Sequence, residues 1–285
     1  MNKTWFITGA SRGFGRIWAE AALKRGDKVT ATARKLADVA DLKERFGDAV
    51  LALALDVTDP DQVQQVVQQA YGHFGSLDVL LNNAGVSLIA TVEEASDEQI
   101  RDLFEANCFG MVRVIRAALP LLRQQGSGHI LGVSSGLGIV SMPLIGFYCA
   151  TKWAIEALHE SLAHEVKDFG IKVTLIEPGA YATDFGKSAK RVDGMEAYGP
   201  IRQRIFERLV SIERGNPHAT ADAVLKLVDA ENPPLRMMLG KQNLPEARAA
   251  YADRLTTWEA WEAVSNAAQG EPQTRAAGAA LTTAH

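Results

Sequence analysis

Short, apolar, β-rich runs alternate with longer helical runs through most of this chain, and few folds accommodate that order. The strand candidates are 3–8 (KTWFIT), 28–33 (KVTATA), 49–55 (AVLALAL), 77–82 (LDVLLN), 129–134 (HILGVS), 171–177 (IKVTLIE) and 236–239 (RMML). Several are apolar nearly throughout, as strands covered on both faces should be. Between them lie helical patterns with readable ends. One runs from about Gly13 to Lys24 and stops before Gly26. Another opens at Asp59-Pro60, an N-cap followed by proline in the first turn, and ends before Gly75. Ser96 with Gln99 makes a capping box for a long helix through about Leu122, and residues 146–168 form the next. This βαβ alternation predicts an α/β architecture, a doubly wound parallel sheet with helices on both faces.

Composition narrows the partners. The chain has 285 residues, 47% hydrophobic and 22% charged, enough for one domain with a substantial core. Its net charge is −4 and its basic residues are scattered, which argues against nucleic acid and against anionic membrane. Cys108 and Cys149 sit in apolar segments with no CxxC or Cys/His pattern and read as reduced core residues, with no metal site implied. A strand-like run begins at Lys3, leaving no room for a signal peptide, and no apolar stretch reaches the ~18–20 residues of a membrane span. A cytoplasmic protein is expected.

After Pro178 the regularity stops. Residues 184–216 carry glycines, charges and a helical run near 201–213 but no obvious strand, a stretch suited to covering a ligand crevice. Trp258 and Trp261 predict a packed helix over 245–264. The expected organisation is one domain over 1–264, followed by a disordered, Ala/Gly/Thr-rich tail at 265–285.

Thr8-Gly9-Ala10-Ser11-Arg12-Gly13-Phe14-Gly15 joins the first strand to the first helix. Glycine lets the backbone turn sharply and approach a phosphate, and the helix N-terminus offers free N–H groups to a pyrophosphate. The spacing is GxxxGxG, where the commoner dinucleotide fingerprint is GxGxxG. An NAD site usually places an acid after the second strand for the ribose 2′-OH. Here that region reads Ala31-Thr32-Ala33-Arg34-Lys35. Arg34, with Arg12 in the turn, suits a 2′-phosphate, so the reading is NADP(H) over NAD(H).

Tyr148 and Lys152 are four apart in a helical segment and share one face. An ammonium there favours the phenolate of a tyrosine whose free pKa is ~10. Ser134-Ser135-Gly136 ends the fifth strand, Asn82-Asn83-Ala84-Gly85 the fourth and Pro178-Gly179 the sixth. Small, polar and turn residues thus gather at the carboxyl ends of successive strands, where doubly wound sheets place ligands.

TGxxxGxG, NNAG, a serine thirteen residues before a YxxxK tyrosine, and the PG turn together resemble the short-chain dehydrogenase/reductase family over about residues 3–185. The resemblance implies a Rossmann-type sheet of about seven strands in the order 3-2-1-4-5-6-7, and a homodimer or homotetramer. It implies oxidoreduction between a carbonyl and an alcohol carbon, with a tetrad of Asn107, Ser135, Tyr148 and Lys152. Asn107 then holds a water that links the lysine to solvent. Cofactor contacts are implied at Gly9, Ser11, Arg12, Gly13, Phe14, Gly15, Arg34, Asp56, Val57, Asn83, Ala84, Gly85, Tyr148, Lys152, Pro178, Gly179 and Thr183. EPGAYATDF and LRMMLG are similar to the branch containing 17β-hydroxysteroid and retinol dehydrogenases. Leu137, Met142, Leu144, Ala180 and Tyr181 are the substrate-pocket candidates, an apolar set that suits a hydrophobic ketone or secondary alcohol. Two other readings exist: an NADP-binding regulator that keeps the fold without turnover, and a sugar-nucleotide isomerase or dehydratase. The intact tetrad argues against the first, and the lack of a large substrate domain against the second.

Overall fold

A computed structural model describes residues 2–271; Met1 and 272–285 lie outside the described residues. The chain begins β1 (Thr4–Ile7), α1 (Gly13–Arg25), β2 (Lys28–Ala33), α2 (Ala37–Phe46), β3 (Val50–Ala54), α3 (Pro60–Phe74) and β4 (Val79–Asn82). A two-residue strand β5 (Leu88–Ile89) and α4 (Asp97–Phe104) follow, then α5 (Gly110–Gln125), β6 (Gly128–Val133), α6 (Gly146–Val166) and β7 (Ile171–Pro178). The last part holds β8 (Lys190–Arg191), α7 (Gly199–Ser211), α8 (Ala221–Asp229), β9 (Arg236–Leu239), α9 (Asn243–Ala260) and α10 (Glu262–Ala267).

Seven strands form one parallel sheet in the order β3-β2-β1-β4-β6-β7-β9. Counting only these strands, the order is the expected 3-2-1-4-5-6-7. Each face is covered by helices. Trp18, Ala22, Val39, Leu42, Val224 and Leu227 from α1, α2 and α8 pack on one side. Val63, Val67, Val114, Ala118, Ile155 and Leu162 from α3, α5 and α6 pack on the other. With both faces buried, the strands have no polar side to present, which is why their sequences read as continuous apolar runs.

Local signals account for most boundaries. The Asp59 side chain accepts from the N–H groups of Asp61 and Gln62, and Gly75 closes α3 in the left-handed region at φ 75°. Ser96 and Gln99 form the reciprocal capping box that opens α4. The helix expected to continue unbroken to Leu122 instead passes through a π-helical turn at Glu105–Phe109. A one-residue widening of this kind leaves the helical period within each flank and only slips its phase by one residue across the turn, too slight a signal to read, and it falls on Asn107. Two helices carry little sequence signal: α2 buries only Val39 and Leu42, and α8 is short.

The C-terminal expectation needs correction. Helix α9 is present, but Trp258 and Trp261 are 61% and 64% exposed and pack no core. Only the start of α9 is buried, at Asn243 and Ala247, because α9 leaves the sheet after its first turns. Glu262–Ala267 is helical, so regular structure crosses the expected start of the tail, most of which lies outside the described residues. No helix among the described residues is long and apolar enough to cross a membrane. Cys108 and Cys149 are free and buried, as expected.

Two buried histidines make stability depend on pH. The Nε2 of His129, on β6, lies 2.9 Å from Thr174 Oγ1 on β7, and Thr174 in turn donates to the Pro234 carbonyl, so His129 is the donor. Burial lowers its pKa from 6.5 to about 3, and that of His159 to about 4. The unfolded chain therefore binds protons below 6.5 that the folded chain refuses, and stability falls as pH drops through that window. His129→Gln keeps the bond to Thr174 without the titration; its Tm should decline less between pH 6.5 and 5 than that of the parent chain. Parallel declines would exclude His129 as a source.

Candidate active site

The carboxyl ends of β1, β2, β3, β4, β6 and β7 open onto one cleft of about 970 Å³. The glycine-rich turn forms its floor. Asn83, just after β4, reaches across the switch point of the sheet, and its Nδ2 donates to the carbonyls of Thr8 and Gly9 at 3.1 and 2.9 Å. The Thr8 hydroxyl accepts from the N–H groups of Asn83 and Ala84, both at 3.0 Å. A Cβ on Gly15 would collide with Asn83 Nδ2 and the Gly9 carbonyl, so only glycine allows α1 to start this close to β4. Gly15 does not line the cleft and acts through this packing, whereas Gly9, Ser11, Arg12, Gly13 and Phe14 do line it.

The fit to a dinucleotide rests on this cradle. Helix α1 begins with no side-chain cap and no acid in its first turn, which leaves its N–H groups and partial positive charge facing the cleft. Past β2 the lining is Ala33 and Arg34, with no carboxylate. Asp56 lines the cleft, but its Oδ1 is engaged with the Thr58 N–H and hydroxyl, at 3.0 and 2.8 Å. Arg12 lies close enough to Asp184, in the segment after β7, to help hold that carboxyl below its usual range, after Lys187, its main partner. Arg34 has no such neighbour among the described residues. Val57, Ala84, Gly85, Pro178, Gly179 and Thr183 line the same cleft.

The structure brings together Ser135, Tyr148 and Lys152 around one end of this space. Ser135 follows β6 and accepts the Leu137 N–H at 3.1 Å, which leaves its hydroxyl proton free to donate. Lys152 is buried; its Nζ donates to the Val133 carbonyl at 2.8 Å and stands 5.5 Å from the centre of the Tyr148 ring. Thr151 donates to the Tyr148 carbonyl at 2.8 Å and accepts from Asn107 Nδ2 at 3.1 Å. Asn107 does not line the cleft. Its Oδ1 accepts the Val86 N–H at 2.8 Å and its Nδ2 also donates to the Val86 carbonyl at 2.9 Å. That amide clamps the loop after β4 to α6, with both Nδ2 hydrogens used and one lone pair of Oδ1 taken.

The electrostatics differ from expectation at one group. The ammonium was expected to pull the tyrosine below its ordinary pKa. Burial dominates instead and raises Tyr148, with the Ser135 hydroxyl acting the other way. Burial also lowers Lys152 to about 8, against the opposing influence of Cys108 and Glu156. Near neutral pH the phenol therefore keeps its proton and the lysine is charged but close to titrating.

Substrate-pocket candidates divide. Leu137, Met142, Ala180 and Tyr181 line the cleft. Leu144 does not: it sits at φ 69°, in the left-handed region unfavourable to a leucine, and faces a separate cavity of about 350 Å³ beside Val92, Pro143 and Tyr198. Its carbonyl accepts the Ala90 N–H at 2.7 Å, which turns the side chain away.

Several residues near the cleft carried no sequence signal. Phe185 lays its ring 5.7 Å from that of Tyr148. Asn243, at the start of α9, donates to the Glu177 carbonyl at 2.6 Å and so ties α9 beneath the Pro178-Gly179 turn. The covering segment is anchored by β8, which pairs with β5 although no strand was expected there. The Glu94 carboxylate, its side chain shielded from solvent, adds a clamp, accepting from the Met195 N–H at 2.8 Å and from Arg202. No group of His, Cys, Asp and Glu suited to a metal occurs among the described residues.

Comparison with known proteins agrees with this architecture. The short chain dehydrogenase family matches residues 3–193. Oxidoreductase BOA17 of Botryotinia fuckeliana is 40% identical over 270 residues, covering 93% of this chain and 98% of its own. A 3-ketodihydrosphingosine reductase of Bacteroides thetaiotaomicron is 35% identical over 264 residues, covering 87% and 96%. The crystal structure of a short-chain dehydrogenase from Streptomyces avermitilis superposes with a TM-score of 0.87 at 40% identity, over 94% of this chain and 99% of that one. A short chain dehydrogenase from Burkholderia cenocepacia, solved with NADP, superposes at 0.73 with 28% identity, over 90% and 96%. The chain belongs to the short-chain dehydrogenase/reductase family.

The Gly15 contact gives a direct test. Gly15→Ala should destabilise the fold by about 1–3 kcal/mol, as an overpacked site does, in urea unfolding followed by circular dichroism. An unchanged midpoint would mean that Asn83 yields at no cost.

Proposed function

We propose that this chain is an NADP(H)-dependent oxidoreductase acting on a hydrophobic ketone or the corresponding secondary alcohol. The observation that carries the reading is Lys152 held on the Val133 carbonyl, under Tyr148 and beside Ser135, at the end of a phosphate-ready cleft. When bound, the nicotinamide ring would supply or accept the hydride. The protein's own groups do the rest. Ser135 donates its free hydroxyl proton to the substrate oxygen and fixes its position. Tyr148, whose proton burial retains, delivers it to that oxygen as the carbonyl is reduced and takes it back in oxidation. Lys152 is the nearby cation that stabilises the phenolate left behind.

Arg34 supports the preference for NADP(H), as a cation at the end of β2 where an NAD site would carry an acid. An apolar substrate is supported by Leu137, Val140, Met142, Ile145, Leu209 and Ile212, which line the cleft beyond the tetrad. Phe185 adds an aromatic face against Tyr148. The relative named for 3-ketodihydrosphingosine reduction is consistent with a long apolar ketone.

A panel of apolar ketones, followed by NADPH consumption, should show turnover. Tyr148→Phe should lower kcat by about 10²–10⁴-fold while NADPH affinity stays nearly intact; normal turnover would remove the proton-transfer role. Arg34→Ala should raise the Kd for NADPH by about tenfold or more and leave that for NADH nearly unchanged. Equal effects on the two cofactors would end the 2′-phosphate argument.

A further inference from the structure

Polar side chains continue behind Lys152, away from the cleft and into the contact between α6, β7 and β9. Glu156 stands one helical turn beyond Lys152, and Glu177 projects from β7; they are 6% and 0% exposed. Their carboxyl groups converge on one cation. The cation is Arg236 on β9. Its Nε donates to Glu156 Oε2 at 2.8 Å and lies 3.7 Å from Glu177 Oε1, and a terminal nitrogen donates to the more exposed Glu160 at 2.6 Å. Neither oxygen of Glu177, nor Oε1 of Glu156, meets a donor among the described residues.

The charges that face this pair come from every neighbouring element. Helix α6 contributes Lys152, Glu160 and His159, and β9 contributes Arg236. The Ser135 loop contributes Ser134, α9 meets the Glu177 carbonyl through the neutral Asn243, and Cys108 of the π turn faces Lys152. Burial keeps His159 neutral, with a pKa near 4, and pushes the Cys108 thiol up to about 11. Lys152 and Arg236 then supply two positive charges against Glu156, Glu160 and Glu177. Glu160 is half-exposed and keeps its charge in solvent, and Arg236 is hydrogen-bonded to Glu156 and Glu160. An ionised Glu177, wholly buried and with no donor on either oxygen, would therefore be the least compensated charge of the set. Two carboxyls beside the same Arg236 nitrogen, one of them wholly buried, are where a proton belongs.

We infer that Glu156 and Glu177 hold one proton between them, and that this pair sets the charge balance beneath Lys152, making Glu156 a positioning residue for the site. Glu156 also braces the Ser135 loop: a Cβ on Gly138 would stand 2.6 Å from Ser134 Oγ and 3.1 Å from Glu156 Oε1. Burial, then the neighbouring Glu156, pushes Glu177 up to about 8. The folded chain thus keeps a proton that the unfolded chain releases near 4.5, and this group makes stability fall as pH rises from 4.5 through 8. The role of Lys152 in this inference rests on the proposed oxidoreductase reading; the shared proton does not.

Two variants decide it. Glu177→Gln imitates the protonated carboxyl. Its Tm at pH 6 should match or exceed that of the parent, and its decline from pH 6 to 9 should be shallower. A large loss of Tm at pH 6 with the parent's slope retained would mean that Glu177 is an ionised partner of Arg236, and would overturn the shared proton. Glu156→Gln keeps an acceptor for Arg236 but removes the anion next to Lys152, so the lysine should titrate earlier. The alkaline limb of kcat/KM for ketone reduction should move down by about one pH unit. A limb that stays in place, in a variant folded by circular dichroism, would show that Glu156 is only structural. Should no ketone be turned over, the function fails while the Tm comparison still decides the proton.

Discussion

Everything at the active end of this molecule depends on the bridge that Asn83 makes across the switch point of the sheet. Strands β1 and β4 are neighbours, but the chain leaves them toward opposite faces, so their ends diverge and open a crevice. The Asn83 amide closes the base of that crevice by binding the Thr8 and Gly9 carbonyls, and Thr8 returns the contact through its hydroxyl. Gly15 admits α1 to the same point. The glycine-rich turn is therefore shaped as much by the fourth strand as by the first, and NNAG and TGxxxGxG act as a single unit separated in the chain.

A second set of bonds carries that geometry to the Tyr148–Lys152 end of the cleft. Asn107 fixes the loop after β4 to Thr151, Thr151 fixes the backbone of Tyr148, and Lys152 is tied to the last residue of β6. The π turn is what brings Asn107 into this chain of contacts. Burial then does the tuning, raising the phenol and lowering the lysine, and Cys108 and Glu156 behind Lys152 work against the second of these.

The sheet was readable in the residues because strands buried on both faces are written as apolar runs, and α3 and α4 because their caps are local. The strand ends were readable too, since a cleft there needs small and polar residues. What escaped is non-local. The widening at Asn107 slips the helical phase by a single residue, and β8 is two charged residues whose partner lies a hundred positions earlier. Glu156, Glu177 and Arg236 are ordinary charges until three elements meet. Trp258 and Trp261 misled because large apolar side chains usually mark packing, whereas here α9 has already left the sheet. Leu144 misled for a backbone reason: its left-handed φ points it behind the loop.

The pairing of β8 with β5 has one more consequence. The segment after β7 is fastened at its start, where Ala182 donates to the Gly215 carbonyl, and again at Lys190–Arg191. Phe185 lies on the short span between those anchors. Such a span cannot swing out as a long flap, so clearing the face of Tyr148 takes a turn of the Phe185 side chain with local backbone adjustment. Rotamer changes of that sort run in nanoseconds, far faster than the micro- to millisecond closure of a free lid. The face of Tyr148 is thus covered by one side chain on a span tied at both ends, and not by a free lid.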